Sequence, residues 1–127
     1  MNKDNHSNFN ILIADDEEEF ASTLATRLEL RGYTTRIVHS GEATLEAIAS
    51  QVPDLLLLDL QMPDLDGLEV LAKLRENHKE LKVIILTGHG SFSLGNQGMA
   101  LGAIDYIIKP VELSLLLKKI TEATAAT

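Results

Sequence analysis

The apolar residues of this chain fall into short compact runs separated by wider-spaced stripes, and the two kinds alternate along the chain. Phe9 to Ala14 is short, largely apolar and β-compatible, and it stops abruptly at Asp15-Asp16. Phe20, Leu24 and Leu28 then recur at i, i+4 and i+8 with Ala21 and Ala25 beside them, which predicts an amphipathic helix. Gly32 stands where a glycine at a helix C-terminus is expected. Tyr33 to Val38 reads as a second strand, and Ser40 as the cap of a second helix carrying Leu45, Ile48 and Ala49.

Asp54 to Leu60 places four consecutive leucines between two aspartates. Periodicity alone leaves this run open between helix and strand, but its shortness, with Pro53 before it and Pro63 after it, favours a buried strand. Asp66 and Glu69 have the spacing of a capping box for a third helix bearing Leu68, Leu71, Ala72 and Arg75. Lys82 to Leu86 predicts a fourth strand ending at Thr87-Gly88, and Ser91 to Leu101 a fourth helix. That helix is intrinsically weak, because Gly95 and Gly98 each cost about 1 kcal/mol relative to alanine. Ile104 to Ile108 predicts the fifth strand. Glu112 to about Ala123 predicts a closing helix with Leu113, Leu116, Leu117 and Ile120 on one stripe.

Strict alternation of strand and helix implies right-handed crossovers and a parallel sheet covered by helices on both faces. Strands buried on both faces read as continuous apolar runs, as these do. Residues 1–8 are expected to be a disordered N-terminal segment, 9–124 one domain, and 125–127 a tail or the start of a linker.

Composition narrows the function. The 127 residues are 45% hydrophobic and 4% aromatic, enough aliphatic material for one core. A net charge of −8 disfavours direct contact with nucleic acid. The chain has no cysteine, so disulfides and thiolate metal sites are excluded. No apolar run approaches the ~20 residues needed to span a bilayer, and Met1 to Asn8 is polar, without a signal-peptide core. The expectation is a cytoplasmic protein.

In open α/β sheets ligands bind beyond the carboxyl ends of the strands. There the chain places Asp15-Asp16, Asp59, Thr87 and Lys109-Pro110, one group for each of four strands. Crowded carboxylates need a cation, and an all-oxygen cluster suits a hard ion such as Mg²⁺. A carboxylate in that setting is a nucleophile for phosphorus, with Lys109, the Thr87 hydroxyl and the Gly88 N–H available to phosphoryl oxygens.

These stretches carry a resemblance. ILIADDEEEF (Ile11 to Phe20), DLLLLDLQMPDLDGLEVL (Asp54 to Leu71), KVIILTG (Lys82 to Gly88) and LGAIDYIIKP (Leu101 to Pro110) together resemble the receiver domain of two-component response regulators. The resemblance implies the CheY-like, flavodoxin-like doubly wound sheet of five parallel strands in the order 2-1-3-4-5, with five helices. It implies Asp59 as phospho-acceptor, and Mg²⁺ held by Asp15, Asp16, Asp59 and the backbone carbonyl of Gln61. It further implies Lys109 paired with Asp59 and then with the phosphoryl group, a cis bond before Pro110, and Thr87 with Tyr106 as a switch pair. Gln61 and His89 would tune the phosphoryl lifetime. Val111 departs from the phenylalanine common in relatives, which alters packing and leaves the chemistry untouched. The partners implied are a sensor histidine kinase or a histidine phosphotransfer protein. A homodimer through the fourth helix, fifth strand and fifth helix is also implied, as is a regulatory rather than enzymatic role.

Each residue also has a plainer reading. Asp15 to Glu19 would suit any helix N-terminus, and Glu17, Glu18 and Glu19 are assigned only that role. Asp64 and Asp66 read as turn residues, Tyr106 as packing, and His6, His39 and His78 as exposed and inert. Three rival functions share the fold. A phosphohydrolase with an aspartate nucleophile places an acid two residues on, where this chain has Gln61. A flavin or nucleotide binder offers a Gly-rich loop after the first strand, where this chain has acids. A degenerate receiver would serve only as an interaction module, but every expected site residue is present.

Overall fold

The computed structural model describes residues 9–88 and 92–125. Strands β1 (Asn10–Ala14), β2 (Thr34–Val38), β3 (Leu55–Asp59), β4 (Lys82–Thr87) and β5 (Asp105–Ile108) alternate with helices α1 (Glu18–Glu29), α2 (Gly41–Ser50), α3 (Gly67–Asn77), α4 (Phe92–Ala100) and α5 (Leu113–Ala125). The strands form one sheet in the order β2-β1-β3-β4-β5, and every neighbouring pair is parallel. This is the doubly wound architecture expected from the alternation.

The side-chain period of two splits the apolar runs into two layers. Ile11, Ile13, Leu55, Leu57, Ile84 and Leu86 pack with Leu24 and Leu28 of α1 and Leu116 and Ile120 of α5. Leu12, Leu56, Leu58, Val83 and Ile85 face the other way, onto Ile48 of α2 and Val70, Leu71 and Leu74 of α3. A strand carrying both layers has no polar position to spare, so β3 could be read as a single block of leucines.

Element ends shift by a residue or two. Phe9, Tyr33, Asp54, Leu60 and Ile104 fall outside the strands, whereas Thr87 ends β4 and Asp59 ends β3. Helix α5 runs to Ala125, one residue into the expected tail. The segment 1–8, the last two residues and Ser91 lie outside the described residues. Helix α1 ends at a C-cap Leu30 in the right-handed region, and Gly32 follows at φ +96°.

Local chemistry fixes the helices that border the site. Ser40 Oγ accepts from Ala43 N at 3.0 Å, and Asp64, across from it, accepts from Gly41 N at 2.8 Å and Glu42 N at 2.9 Å. Asp64 is thus more than a turn residue. Those N–H groups hold its carboxyl below the usual range. Asp66 caps α3 through Glu69 N at 2.9 Å, as its spacing predicts. Gly67 lets α3 start hard against β3: a Cβ there would lie 2.5 Å from Leu60 Cα and 2.8 Å from the Asp59 carbonyl oxygen. Arg75 ties α3 to the turn after α4, donating to the carbonyls of Leu101 (2.9 Å) and Gly102 (3.0 Å), and to the loop before β4 through the Leu81 carbonyl (2.9 Å).

Candidate functional site: an acidic cleft at the carboxyl edge of the sheet

Parallel strands in this register bring their ends into one row. Ala14 pairs with Leu58, Asp59 with Leu86, and Thr87 with Ile108, so Asp15, Asp59, Thr87 and Lys109 emerge side by side. Three of these four are buried: Asp15 and Thr87 are fully inaccessible and Asp59 is 4% exposed. A cleft of about 1220 Å³ opens above them, bordered by Asp16, Gln61, Gly88 and Pro110 and continuing along α1 past Thr23 and Arg27.

Lys109 is the hub. Its Nζ lies 2.5 Å from Glu17 Oε1, 2.8 Å from Asp15 Oδ2 and 3.5 Å from Asp59 Oδ2. It also stands 4.5 Å from the centre of the Phe20 ring. Burial alone would depress the lysine. The bonds to Asp15 and Glu17 and the charges of Asp59 and Asp15 more than reverse that, and Lys109 is held above its ordinary value. Burial pushes the Asp59 carboxyl up to about 6; the Gln61 N–H lowers it, Asp15 raises it, Lys109 lowers it and Asp16 raises it. Asp59 Oδ1 accepts that N–H at 3.0 Å, and Asp15 Oδ1 accepts from Glu17 N at 2.9 Å. The Lys109–Pro110 bond is cis, as expected.

Asp15, Glu17 and Asp59 are the carboxylates that converge among the described residues, each offering an oxygen within 4.8 Å of the others. The expectation had Asp16 in that trio. The chain bends at Asp16 and leaves it exposed at the cleft border, while the turn closed by Glu17 N on Asp15 Oδ1 swings Glu17 inward. Glu17, assigned only to the helix dipole, is therefore a residue that sequence reasoning missed, as is Phe20. Glu17 occupies the N-cap of α1, where short oxygen side chains are favoured, and its side chain makes no capping bond. The carboxylates of Asp15, Asp16 and Asp59 at this edge offer only oxygen donors, and Asp15 Oδ2 is buried with the Lys109 ammonium 2.8 Å away. Such a set fits a hard dication.

Thr87 Oγ1 is buried and has no hydrogen-bond partner among the described residues. Tyr106 pairs in register with Ile85, two residues before the Thr87–Ile108 pair, and packs into the same layer as Ile85. Its ring lies on α4 at Gly95, where a Cβ would come within 2.6 Å of it. The Gln61 side chain reaches toward Gly88, its Oε1 3.1 Å from where a Cβ there would stand. His39 is exposed, as expected, and its Nδ1 donates to the Asp15 carbonyl oxygen at 2.9 Å. His89 lies outside the described residues. Among the described residues no helix is long and apolar enough to cross a membrane.

Comparison with known proteins gives the same picture. The family model for the response regulator receiver domain matches residues 11–121. Response regulator MprA of Mycobacterium ulcerans is 42% identical over 109 residues, covering 86% of this chain and 47% of that protein. The transcriptional regulatory protein YkoG of Bacillus subtilis is 42% identical over 113 residues, covering 89% and 50%. The chain thus spans about half the length of these curated relatives. Among solved structures, a response regulator from Chloroflexus aurantiacus superposes with a TM-score of 0.87 at 33% identity, covering 92% of this chain and 98% of that one. The receiver domain of NtrX from Brucella abortus does so with a TM-score of 0.87 at 32% identity, covering 92% and 99%. Fold, acidic cleft and kinship agree, and the chain belongs to the response-regulator receiver family of two-component signalling.

Proposed function

We propose that this chain accepts a phosphoryl group on Asp59 from a sensor histidine kinase or histidine phosphotransfer protein, and that the adduct alters the α4–β5–α5 face to control an output domain or partner. The observation that carries this reading is a buried carboxylate, Asp59, set 3.5 Å from the Lys109 ammonium at the floor of an open cleft. With its pKa raised to about 6, Asp59 is ionised at neutral pH yet more basic than an ordinary aspartate, which suits a nucleophile.

In this reading an Asp59 carboxylate oxygen forms the new bond to phosphorus. The donor's P–N bond breaks, and its imidazole nitrogen keeps the electron pair and takes a proton. Lys109 offsets charge on the phosphoryl oxygens, the Thr87 hydroxyl donates to one of them, and the Gly88 N–H donates to another. Asp15, Asp16, Asp59 and the Gln61 backbone carbonyl would hold Mg²⁺, which when bound supplies further neutralisation of that charge. Thr87 turning toward the phosphoryl group frees space on the face it shares with Tyr106, and the Tyr106 ring then leaves its seat on Gly95 for that space. Ring and helix are in contact, so the change is passed to α4. Gln61 and His89, two positions past Asp59 and Thr87 in the chain, would set the lifetime of the adduct. Met99, Ile104 and Leu115 are exposed on or beside α4, β5 and α5 and offer apolar contacts to a partner or a second copy.

Treatment with acetyl phosphate and Mg²⁺ tests the reading. One acid-stable, base-labile phosphoryl adduct is expected by intact mass, absent in Asp59→Asn and absent when the metal is chelated. An adduct that survives the substitution would contradict the assignment.

A further inference from the structure

Lys109 is shared among more groups than the chemistry above uses. Of its three carboxylate contacts, the one to the proposed phospho-acceptor is the longest, 3.5 Å against 2.5 Å to Glu17 and 2.8 Å to Asp15. Charge-assisted bonds of full strength are about 2.7–2.9 Å, so the ammonium is engaged by Asp15 after β1 and by Glu17 at the start of α1, and only loosely by Asp59. Two residues at the start of α1 build the outer part of this grip. Glu17 is the N-cap residue, but its side chain makes no capping bond and goes to the lysine instead. Phe20, three residues on and so on the same helix face, sets its ring 4.5 Å below the ammonium. The lysine side chain is 16% exposed, which shields these contacts from water even though Glu17 itself is 61% exposed.

We propose that Glu17 and Phe20 form a holding site for the Lys109 ammonium that competes with Asp59, so that Glu17 is a positioning residue restraining phosphorylation of this chain. The inference rests on the reading of Asp59 as phospho-acceptor. A phosphoryl group carries up to two negative charges, enough to draw the lysine away from a single exposed carboxylate. The bond to Glu17 is made in the resting state and given up on the way to the adduct, so it stabilises the starting state and slows the step.

Glu17→Gln is expected to raise the initial rate of Asp59 phosphorylation by acetyl phosphate about two- to fivefold, the worth of an ion pair with an exposed carboxylate. Glu17→Asp keeps the charge but shortens the reach, and is expected to match Glu17→Gln rather than the parent. Phe20→Leu keeps apolar bulk without the ring's negative face, and is expected to give about a twofold rise. A second readout needs no phosphoryl chemistry. In metal-free protein with ¹⁵N-labelled lysine, Glu17→Gln is expected to move the Lys109 ammonium signal, identified by its loss in Lys109→Arg. An unmoved signal, an unchanged or slower rate, or a Glu17→Asp variant that behaves as the parent would each overturn the proposal. So would a higher Mg²⁺ requirement in Glu17→Gln, since Glu17 would then be an ion ligand. Absence of any adduct in the parent protein would instead strike the phospho-acceptor reading and leave the ammonium measurement standing on its own.

Discussion

Two regions of β3 adjoin on the chain and differ in what burial does for them. Leu55 to Leu58 are fully buried and alternate between the two aliphatic layers of the core. Asp59, the next residue, is nearly as inaccessible, yet it is a carboxylate whose charged form burial disfavours. The leucines gain from being out of water; the aspartate is held there by its neighbours at a cost in stability. The same contrast runs along β4, from Ile84 and Ile85 to Thr87. The strand interiors stabilise the domain, and their carboxyl ends give some of that stability up to hold reactive groups in place.

The sharpest way to break this comparison is to truncate both sides of the boundary. Leu57→Ala removes a fully buried side chain from the layer facing α1 and α5, and is expected to cost about 3–4 kcal/mol in urea unfolding. The slope of the transition should stay near that of the parent. A loss below about 1 kcal/mol would mean that the layer is less tightly filled than its burial indicates.

Asp59→Asn is expected to act in the opposite direction. The folded-state value of about 6 stands above the ordinary 3.8, so between those limits the native protein binds more protons than the unfolded chain. Stability therefore falls as pH rises through that window. The penalty is complete above about pH 6 and absent below about pH 4. Without metal, Asp59→Asn should raise stability at pH 8 by about 1–3 kcal/mol, and the gain should vanish near pH 4. The amide oxygen can still accept the Gln61 N–H, and Lys109 keeps Asp15 and Glu17. A variant less stable than the parent at pH 8 would show that the lysine repays the burial of Asp59 in full.

How much of this was legible depends on whether a feature is local. The leucine run of β3, the stripe of α1 and the Asp66–Glu69 cap are set by neighbours within a turn or a strand, and each formed as its pattern predicts. The convergence of Asp15, Asp59, Thr87 and Lys109 followed from topology once the alternation of elements was read. The contact of Glu17 with Lys109 was not legible, because it depends on how the backbone turns after β1, and three successive acids look alike in sequence. Gly95 and Gly98 were read as weak points of a helix. In the fold a Cβ at either would collide, with the Tyr106 ring at 2.6 Å and with Ile85 Cδ1 at 2.0 Å, so these glycines let α4 approach the sheet. That role lies in contacts between distant segments, as does the grip of Arg75 on the carbonyls after α4.

The smallest expected effect sharpens the comparison most. Thr87 ends a strand whose preceding residues, Val83 to Leu86, are apolar, and its buried Oγ1 lacks a partner among the described residues. A hydroxyl in that state costs stability, and a valine of the same shape removes the cost while keeping the β-branched fit to the strand. Thr87→Val is therefore expected to leave the protein as stable as the parent or more so, by up to about 1 kcal/mol. The hydroxyl earns its place only if it answers the phosphoryl group. In the variant the adduct should still form on Asp59, but amide shifts in α4 and β5 that accompany it should shrink. Destabilisation by more than 1 kcal/mol would mean that Oγ1 is bonded in solution. Thr87 would then belong with the stabilising interior of its strand, and the boundary drawn at the strand ends would have to move past it.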